Sequence, residues 1–313
     1  MTLLIALLVS LLGPNRDLIL IYPFELYIIF FTIPFYIIFY ILVKLERKRV
    51  QRNRSRLKDI EIDEKTMREL PFKYEVYRKL THLVVIFICF VYFLFSVLVK
   101  LLVDFIINLF PDFFYELLAG ESIINLSSVE FAQYLVLFLT SISLIGLLTA
   151  DYVRIIYPED YPFKTVNRLL RRKELKTRIG PHISMAVGTM SIVLIFGPLT
   201  RNGPLIVCAA ILMSNIGDST ANLVGRYRGH HKIRGGKKSY EGLIMGILSS
   251  FSSGVLFLLY IFYIFPDVII LPSVFIVPLV VSLVLGLIDY LDVSIDDNLT
   301  YLLATSVLVY LLL

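Results

Sequence analysis

The residues of this chain that can do chemistry concentrate in one stretch, Ser214 to Gly242. Ser214, Asp218, Asn222 and Gly225 recur at three- and four-residue spacing, which puts them on one face of a helix. That helix finishes a long apolar run, where a carboxylate is costly and commonly marks a site. The competing reading is a helix–helix hydrogen bond. Downstream, Gly225, Gly229, Gly235, Gly236 and Gly242 let backbone approach a ligand closely. Arg226, Arg228, Lys232, Arg234, Lys237 and Lys238 supply positive charge. Ser239 can N-cap a following helix, whose N-terminus favours an anion. These are the ingredients of a polyphosphate site at a membrane face. The spacing is not that of a Walker A loop, and no strand precedes it as a dinucleotide-binding turn requires. The adjacent His230 and His231 are poor zinc ligands without a nearby carboxylate or cysteine, so a phosphate contact or an exposed loop is expected of them.

Apolar elements must position this stretch. Of 313 residues 58% are hydrophobic and 18% charged, and the mean hydropathy is +0.80. A soluble domain of this size has nowhere to bury that much apolar surface. The apolar residues form charge-free runs such as Leu26–Val43, Phe131–Ala150, Gly242–Pro266 and Val268–Ile288. A helix needs roughly 20 such residues to cross the hydrocarbon core, and the runs lack the alternation of strands. The expected fold is all-α, a polytopic transmembrane bundle of eight or nine spans with cytoplasmic active-site loops. The segments run at 2–22, 24–44, 81–108, 129–152, 182–199, 204–224, 242–264, 270–290 and 299–313. Met1–Leu12 lacks a basic start and a small-residue cleavage site, so it reads as a membrane segment rather than a signal peptide. Cys89 and Cys208 both lie in apolar runs, which argues against a disulfide framework or a cysteine metal site.

The distribution of charge sets the topology. Loops 44–80, 151–181 and 225–240 hold 27 of the 30 Lys and Arg residues. Loop 109–130 has no basic residue but carries Asp112, Glu116, Glu121 and Glu130. The positive-inside rule then puts the three basic loops in the cytoplasm. Counting crossings brings Arg78–His82, Asp151–Arg178, Asp218–Gly242 and Asp289–Asn298 to one face. For most of Lys44–Lys58 the charge is read as orienting the protein against anionic lipid; no nucleic-acid partner is expected.

The Gly217–Gly242 block resembles the signature Gly-Asp-x-x-Ala-x-x-x-Gly-x-x-x-Gly…Lys-Ser-x-Glu-Gly, shared by CTP-dependent lipid-alcohol kinases and phosphatidate cytidylyltransferases. Every fixed position is present: Gly217, Asp218, Ala221, Gly225, Gly229, Lys238, Ser239, Glu241 and Gly242. Arg78-Lys79-Leu80-Thr81-His82 is similar to the Arg-Lys-x-x-His motif of polyprenol and phytol kinases. On its own it would read as a juxtamembrane basic pair that snorkels. Asp151-Tyr-Val-Arg154, then Arg171-Arg-Lys-Glu174 and Gly180, resembles the middle cytoplasmic region of the same kinases. Asp289 followed by Ile295-Asp-Asp-Asn-Leu-Thr300 resembles their C-terminal block, with Asp289 in place of Glu. The cytidylyltransferases carry further Lys-Asp and Gly-His-Gly-Gly patterns ending in Asp-Arg, which this chain lacks. The resemblance to the CTP-dependent polyprenol kinase family covers residues 76–313. Residues 1–75 form an N-terminal part of membrane segments and basic linker outside it.

The resemblance implies a phosphotransferase that moves the γ-phosphate of CTP to a membrane-embedded isoprenoid alcohol, leaving CDP and a lipid monophosphate. The alternatives are a cytidylyltransferase that forms a CDP-lipid, a CTP-dependent diacylglycerol kinase, or a non-enzymatic transporter or scaffold. It implies nucleotide binding by Gly217, Gly225, Arg226, Gly229, Lys232, Lys237, Lys238, Ser239, Glu241 and Gly242. Arg78, Lys79, Asp151, Arg154, Arg178, Asp289 and Asn298 would support the site. Mg²⁺ prefers one or two carboxylates, waters and substrate phosphate, a demand that Asp218 with Asp297 or Asp296 meets if the segment ends converge. Asp296, Asp297 and His82 stand as alternatives for the group that takes the acceptor proton. The expected location is the cell membrane in a prokaryote or the endoplasmic reticulum in a eukaryote. The oligomeric state is left open, a homodimer included.

Overall fold

Side-chain caps at Ser127, Ser239 and Asp296 set where three of the apolar helices begin. The computed structural model describes residues 24–52, 72–109, 127–170, 180–197, 202–233, 236, 238–265, 268–291 and 296–313. These are helical, without strands. The helices are α1 (Phe24–Arg52), α2 (Phe72–Leu83), α3 (Ser96–Leu109), α4 (Ser128–Ile156) and α5 (Pro181–Phe196). They continue with α6 (Gly203–Tyr227), α7 (Tyr240–Ile264), α8 (Leu271–Leu291) and α9 (Asp297–Leu312). Six helical runs are long and apolar enough to cross a membrane: α1, Phe72–Phe95, α4, α6, α7 and α8. The chain is thus a multi-pass membrane protein. α5 and α9 are shorter apolar helices. Of the nine expected segments, 2–22 lies outside the described residues, and so do Asp112, Glu116 and Glu121.

Three boundaries differ from the expectation in a way that matters. The basic segment counted as loop 44–80 is helical at both ends. α1 continues through Lys44–Arg52, since Lys, Glu, Arg and Leu are good helix formers and basic residues suit a helix C-terminus. α2 begins at Phe72, so Arg78–His82 lie on a helix rather than in a loop. Likewise α6 runs to Tyr227, which places Gly225 and Arg226 on the helix.

The chain divides into two compact units, Met1–Leu70 with Ile88–Ala186, and Pro71–Phe87 with Val187–Leu313. In the first, α4 starts at a capping box. Ser127 accepts from the Glu130 amide and Glu130 from the Ser127 amide. Glu130, counted in the acidic loop, therefore belongs to a helix start. Hydroxyls of Thr140, Ser141 and Thr149 bond back to carbonyls of their own helix, which satisfies them in an apolar setting. Tyr92 donates to Gln133 at 2.5 Å.

In the second unit α6 is the central helix. Val207 through Ile211, with Met213, are fully buried, and α2, α7, α8 and α9 all pack on it. The approach of α6 to α7 runs through small residues. Gly217, Ala221 and Gly225 on α6 meet Gly242, Gly246 and Ser250 on α7, each set at four-residue spacing. A Cβ at Gly242 would come 2.6 Å from the Ala221 carbonyl oxygen and 2.9 Å from the Gly225 Cα. A Cβ at Gly246 would sit 2.8 Å from that of Ala221. Small residues at this spacing let membrane helices meet backbone to backbone.

Candidate functional site

The site of the second unit is built from the polar faces of α2 and α6 and from the ends of α7, α8 and α9. On α2, Glu75, Arg78, Lys79 and His82 fall at i, i+3, i+4 and i+7 and so share a face. All four are buried, with relative exposures of 0%, 6%, 3% and 3%. Charged groups removed from solvent need partners, and α6 supplies them for Lys79 and Glu75. Lys79 bonds to Asp218 across 139 residues of sequence. Glu75 pairs with Arg78 on its own helix and takes Arg226 of α6 at 3.5 Å. Asp218 and Arg226 are eight residues apart, two turns along one α6 face. The Arg78–Lys79 pair therefore does not snorkel to solvent.

The second half of the site centres on Lys238. Its Nζ lies 2.9 Å from Asp289 of α8 and 3.8 Å from Asp297 of α9, and it donates to the Asp289 carbonyl at 3.2 Å. Tyr301 donates to Asp289 at 2.8 Å. Asp297 stands at the head of α9, ahead of the apolar run that begins at Leu299. Burial pushes its carboxyl up. Lys238 opposes the rise, and Asp218, Asp289 and Asp296 add to it, leaving the group at about 6. The acids of three helices thus feel one another. Asp296 has a different job: its carboxylate accepts from the Asn298 amide and side chain at 3.0 Å each, which caps α9.

Between these groups and the helix packing lies a pocket of about 280 Å³, counting space open to the exterior. Asp218, Asp289 and Tyr301 line it, together with Leu243, Ile247 and Leu285 and the small residues Gly217, Ala221, Gly246, Ser250, Ser282 and Gly286.

The connection from α6 to α7 folds back on itself. Lys232 bridges to Ser239, Ile233 donates to the Lys238 carbonyl at 3.0 Å, and the Tyr240 amide bonds His231. Ile233 is buried and anchors the turn. Ser239 accepts from the Gly242 amide at 3.2 Å and caps α7, as its type predicts. Glu241 takes the amide of His231 at 3.1 Å and its ring nitrogen at 2.7 Å. Arg228, His230, His231 and Lys232 remain exposed around this turn. Gly229 closes it tightly, since a Cβ there would meet the Ser239 hydroxyl at 2.4 Å.

Three of the four sequence blocks therefore contribute to one site: Arg78–His82, Asp218–Gly242 and Asp289–Asn298. The fourth forms a cluster within the first unit. Asp151 binds Arg154 at 2.6 Å and accepts from the Gly180 amide at 3.1 Å, with His182 at 3.6 Å. Arg171–Glu174, Arg178, Arg234, Gly235, Lys237 and Ile295 lie outside the described residues. Sequence reasoning missed Glu75 and Tyr301. Glu75 was legible as the fourth member of the α2 stripe, three residues before Arg78; Tyr301 carries no such signal.

Among the described residues no group of three or more His, Cys, Asp or Glu is arranged to hold a metal ion. Asp218 and Asp297 act electrostatically on one another, and one or two carboxylates with water or phosphate is what Mg²⁺ takes. A divalent cation there would compete with Lys79 for Asp218 and with Lys238 for Asp297. Comparison of the chain with protein-family models, with curated proteins and with solved structures finds no match.

Proposed function

We propose that this chain is a kinase that transfers the γ-phosphate of CTP to the hydroxyl of a membrane-embedded isoprenoid alcohol. One observation carries the reading. Asp218, Asp289 and Tyr301 line a pocket whose remaining walls are apolar or small, with Lys238 on Asp289 and Lys79 on Asp218. This arrangement suits a substrate with one polar end, next to charges that suit a phosphate. The choice of CTP rests on the sequence signature from Gly217 to Gly242.

In this reading Arg228, Lys232 and Lys238 neutralise the triphosphate, which is most of what phosphoryl transfer asks of a protein. Asp218 and Asp297 would hold Mg²⁺, which supplies charge neutralisation at the phosphate oxygens when bound. The acceptor oxygen forms its bond to the γ-phosphorus as the bond to the β–γ bridging oxygen breaks, and CDP leaves. Asp289, which lines the pocket, takes the hydroxyl proton. The site would face the cytoplasm, and the first and last apolar segments would complete eight or nine spans.

The test supplies the purified chain with CTP, Mg²⁺ and a panel of polyprenols, phytol, geranylgeraniol and diacylglycerol. CDP and a lipid monophosphate are expected. Pyrophosphate in place of CDP would reverse the choice toward a cytidylyltransferase, and no nucleotide turnover with any acceptor would sink both readings.

A further inference from the structure

Ser250 is 1% exposed, lines the pocket beside Asp218 and Asp289, and its hydroxyl has no hydrogen-bond partner in the protein. The other two hydroxyls of the lining are committed, Ser282 to the Leu279 carbonyl at 3.0 Å and Tyr301 to Asp289. A buried hydroxyl without a partner is costly, and Ser250 is one that a ligand would satisfy. An alcohol both donates and accepts. The lining offers both complements, carboxylates to accept its hydrogen and Ser250 to donate to its oxygen.

The width of the pocket narrows the choice further. Where α8 meets α7, a Cβ on Gly286 would stand 2.5 Å from the end of Ile247. On the α6 side, a Cβ on Gly217 would stand 3.1 Å from that of Ser250. Beyond the lining, α7 exposes Ile244 and Leu248 and α8 exposes Leu283 and Leu287, an apolar surface suited to continuing a hydrocarbon chain into lipid. A diacylglycerol would bring two acyl esters within two carbons of its hydroxyl carbon. Their carbonyls need donors, and apart from the hydroxyls the polar side chains of the lining are Asp218 and Asp289, whose carboxylates only accept.

We infer that this pocket is the acceptor site and that it takes the hydroxyl end of a single-chain lipid alcohol, bonded to Ser250, in preference to a diacylglycerol. The inference rests on the kinase reading for its chemistry but not for its binding, and the two can be separated. The experiment uses the full chain in detergent micelles and measures retention of geranylgeraniol and of dioleoylglycerol without nucleotide. CDP formation is then measured with each. Ser250→Ala removes the donor; Gly286→Val pushes Ile247 into the pocket. Unfolding temperature reports whether each variant is folded.

Retention of geranylgeraniol over dioleoylglycerol is expected. Gly286→Val should weaken it by about tenfold or more, the scale of a few misplaced methyl groups, and Ser250→Ala should raise the acceptor KM severalfold while the CTP KM holds. CDP formation with unchanged acceptor KM in both folded variants overturns the pocket assignment and leaves the kinase reading standing. Retention that is lost on filling the pocket, with no CDP from any acceptor, supports the pocket and overturns the kinase. Equal retention of dioleoylglycerol overturns the single-chain preference.

Discussion

Lys79 of α2 and Asp218 of α6 form an ion pair in which the lysine side chain is 4% exposed and the aspartate 21%. Each charge is the other's compensation. Removing one partner of such a pair leaves an uncompensated charge and typically costs about 3–5 kcal/mol. Lys79→Met and Asp218→Asn are each expected to fall at the lower end of that range, given the partial access of water to Asp218. The double variant should lose less than the sum of the two. Thermal unfolding of all four proteins in one detergent measures this coupling, and additive losses would show the pair to be energetically idle. Under the proposed function Asp218→Asn also abolishes CDP formation while the protein remains folded.

Glu75 serves two arginines, Arg78 and Arg226, and is fully buried. Glu75→Gln would keep the shape and remove the charge, leaving two guanidiniums facing a neutral amide. A loss of about 3 kcal/mol or more is expected on the same argument. The contrast is Arg47 with Asp160, where the arginine side chain is 57% exposed and the partners lie 2.5 Å apart. Arg47→Ala should change the unfolding temperature little, since exposed pairs contribute little. Unfolding temperatures of the two variants should therefore separate clearly.

Much of this was legible in the sequence because membrane helices announce themselves by composition. The runs around Phe131–Ala150 and Gly242–Pro266 became α4 and α7, and Ser239 caps α7 as its residue type requires. Counting charges and crossings placed Arg78–His82 and Asp218–Gly242 at one membrane face but named no contact between them, and the pairing of Lys79 with Asp218 is what the structure adds. Charge counting had a blind spot, however. Glu75 was one of seven acids in a basic loop, and nothing in the local pattern names Arg226 as its partner. Asp296 and Asp297 looked interchangeable as neighbours. One turned out to cap α9 and the other to face Lys238, a difference that depends on where the helix begins. The glycines of the signature read as room for a ligand. At Gly217, Gly225 and Gly242 that room is taken by the facing helix, which spacing alone does not distinguish.

The raised carboxyl of Asp297 gives a pH dependence with a definite sign. In the unfolded chain an aspartate titrates near 3.9, whereas in the folded protein this one titrates at about 6. Between those values the folded state binds more protons than the unfolded state. The group's contribution to stability is therefore full below the unfolded value and is lost as pH rises to about 6. Asp297→Asn should flatten that part of the profile of unfolding temperature against pH relative to the parent protein. Apparent Mg²⁺ affinity should rise with pH up to about 6 and then level, because the ion competes with the proton at the same carboxylate. An affinity independent of pH in this window would remove Asp297 from the metal site.

The crossing of α6 and α7 tests whether the signature glycines are structural before they are anything else. At Gly242 an added Cβ meets backbone, the Ala221 oxygen at 2.6 Å and the Gly225 Cα at 2.9 Å. Backbone does not step aside as a side chain end does, so the helices must separate. Gly242→Ala is expected to cost about 1–3 kcal/mol, the usual range for overpacking. Gly236 in the connecting turn is the control, exposed, with the nearest atom, the Ile233 carbonyl oxygen, 3.2 Å from an added Cβ. Gly236→Ala should change the unfolding temperature little. A glycine kept only for a nucleotide would give the opposite pattern at 242: unchanged unfolding temperature with weakened CTP binding. If both fall together at Gly242→Ala, the helix crossing sets the geometry of the turn that carries Lys238, and the loss of binding follows from the loss of packing.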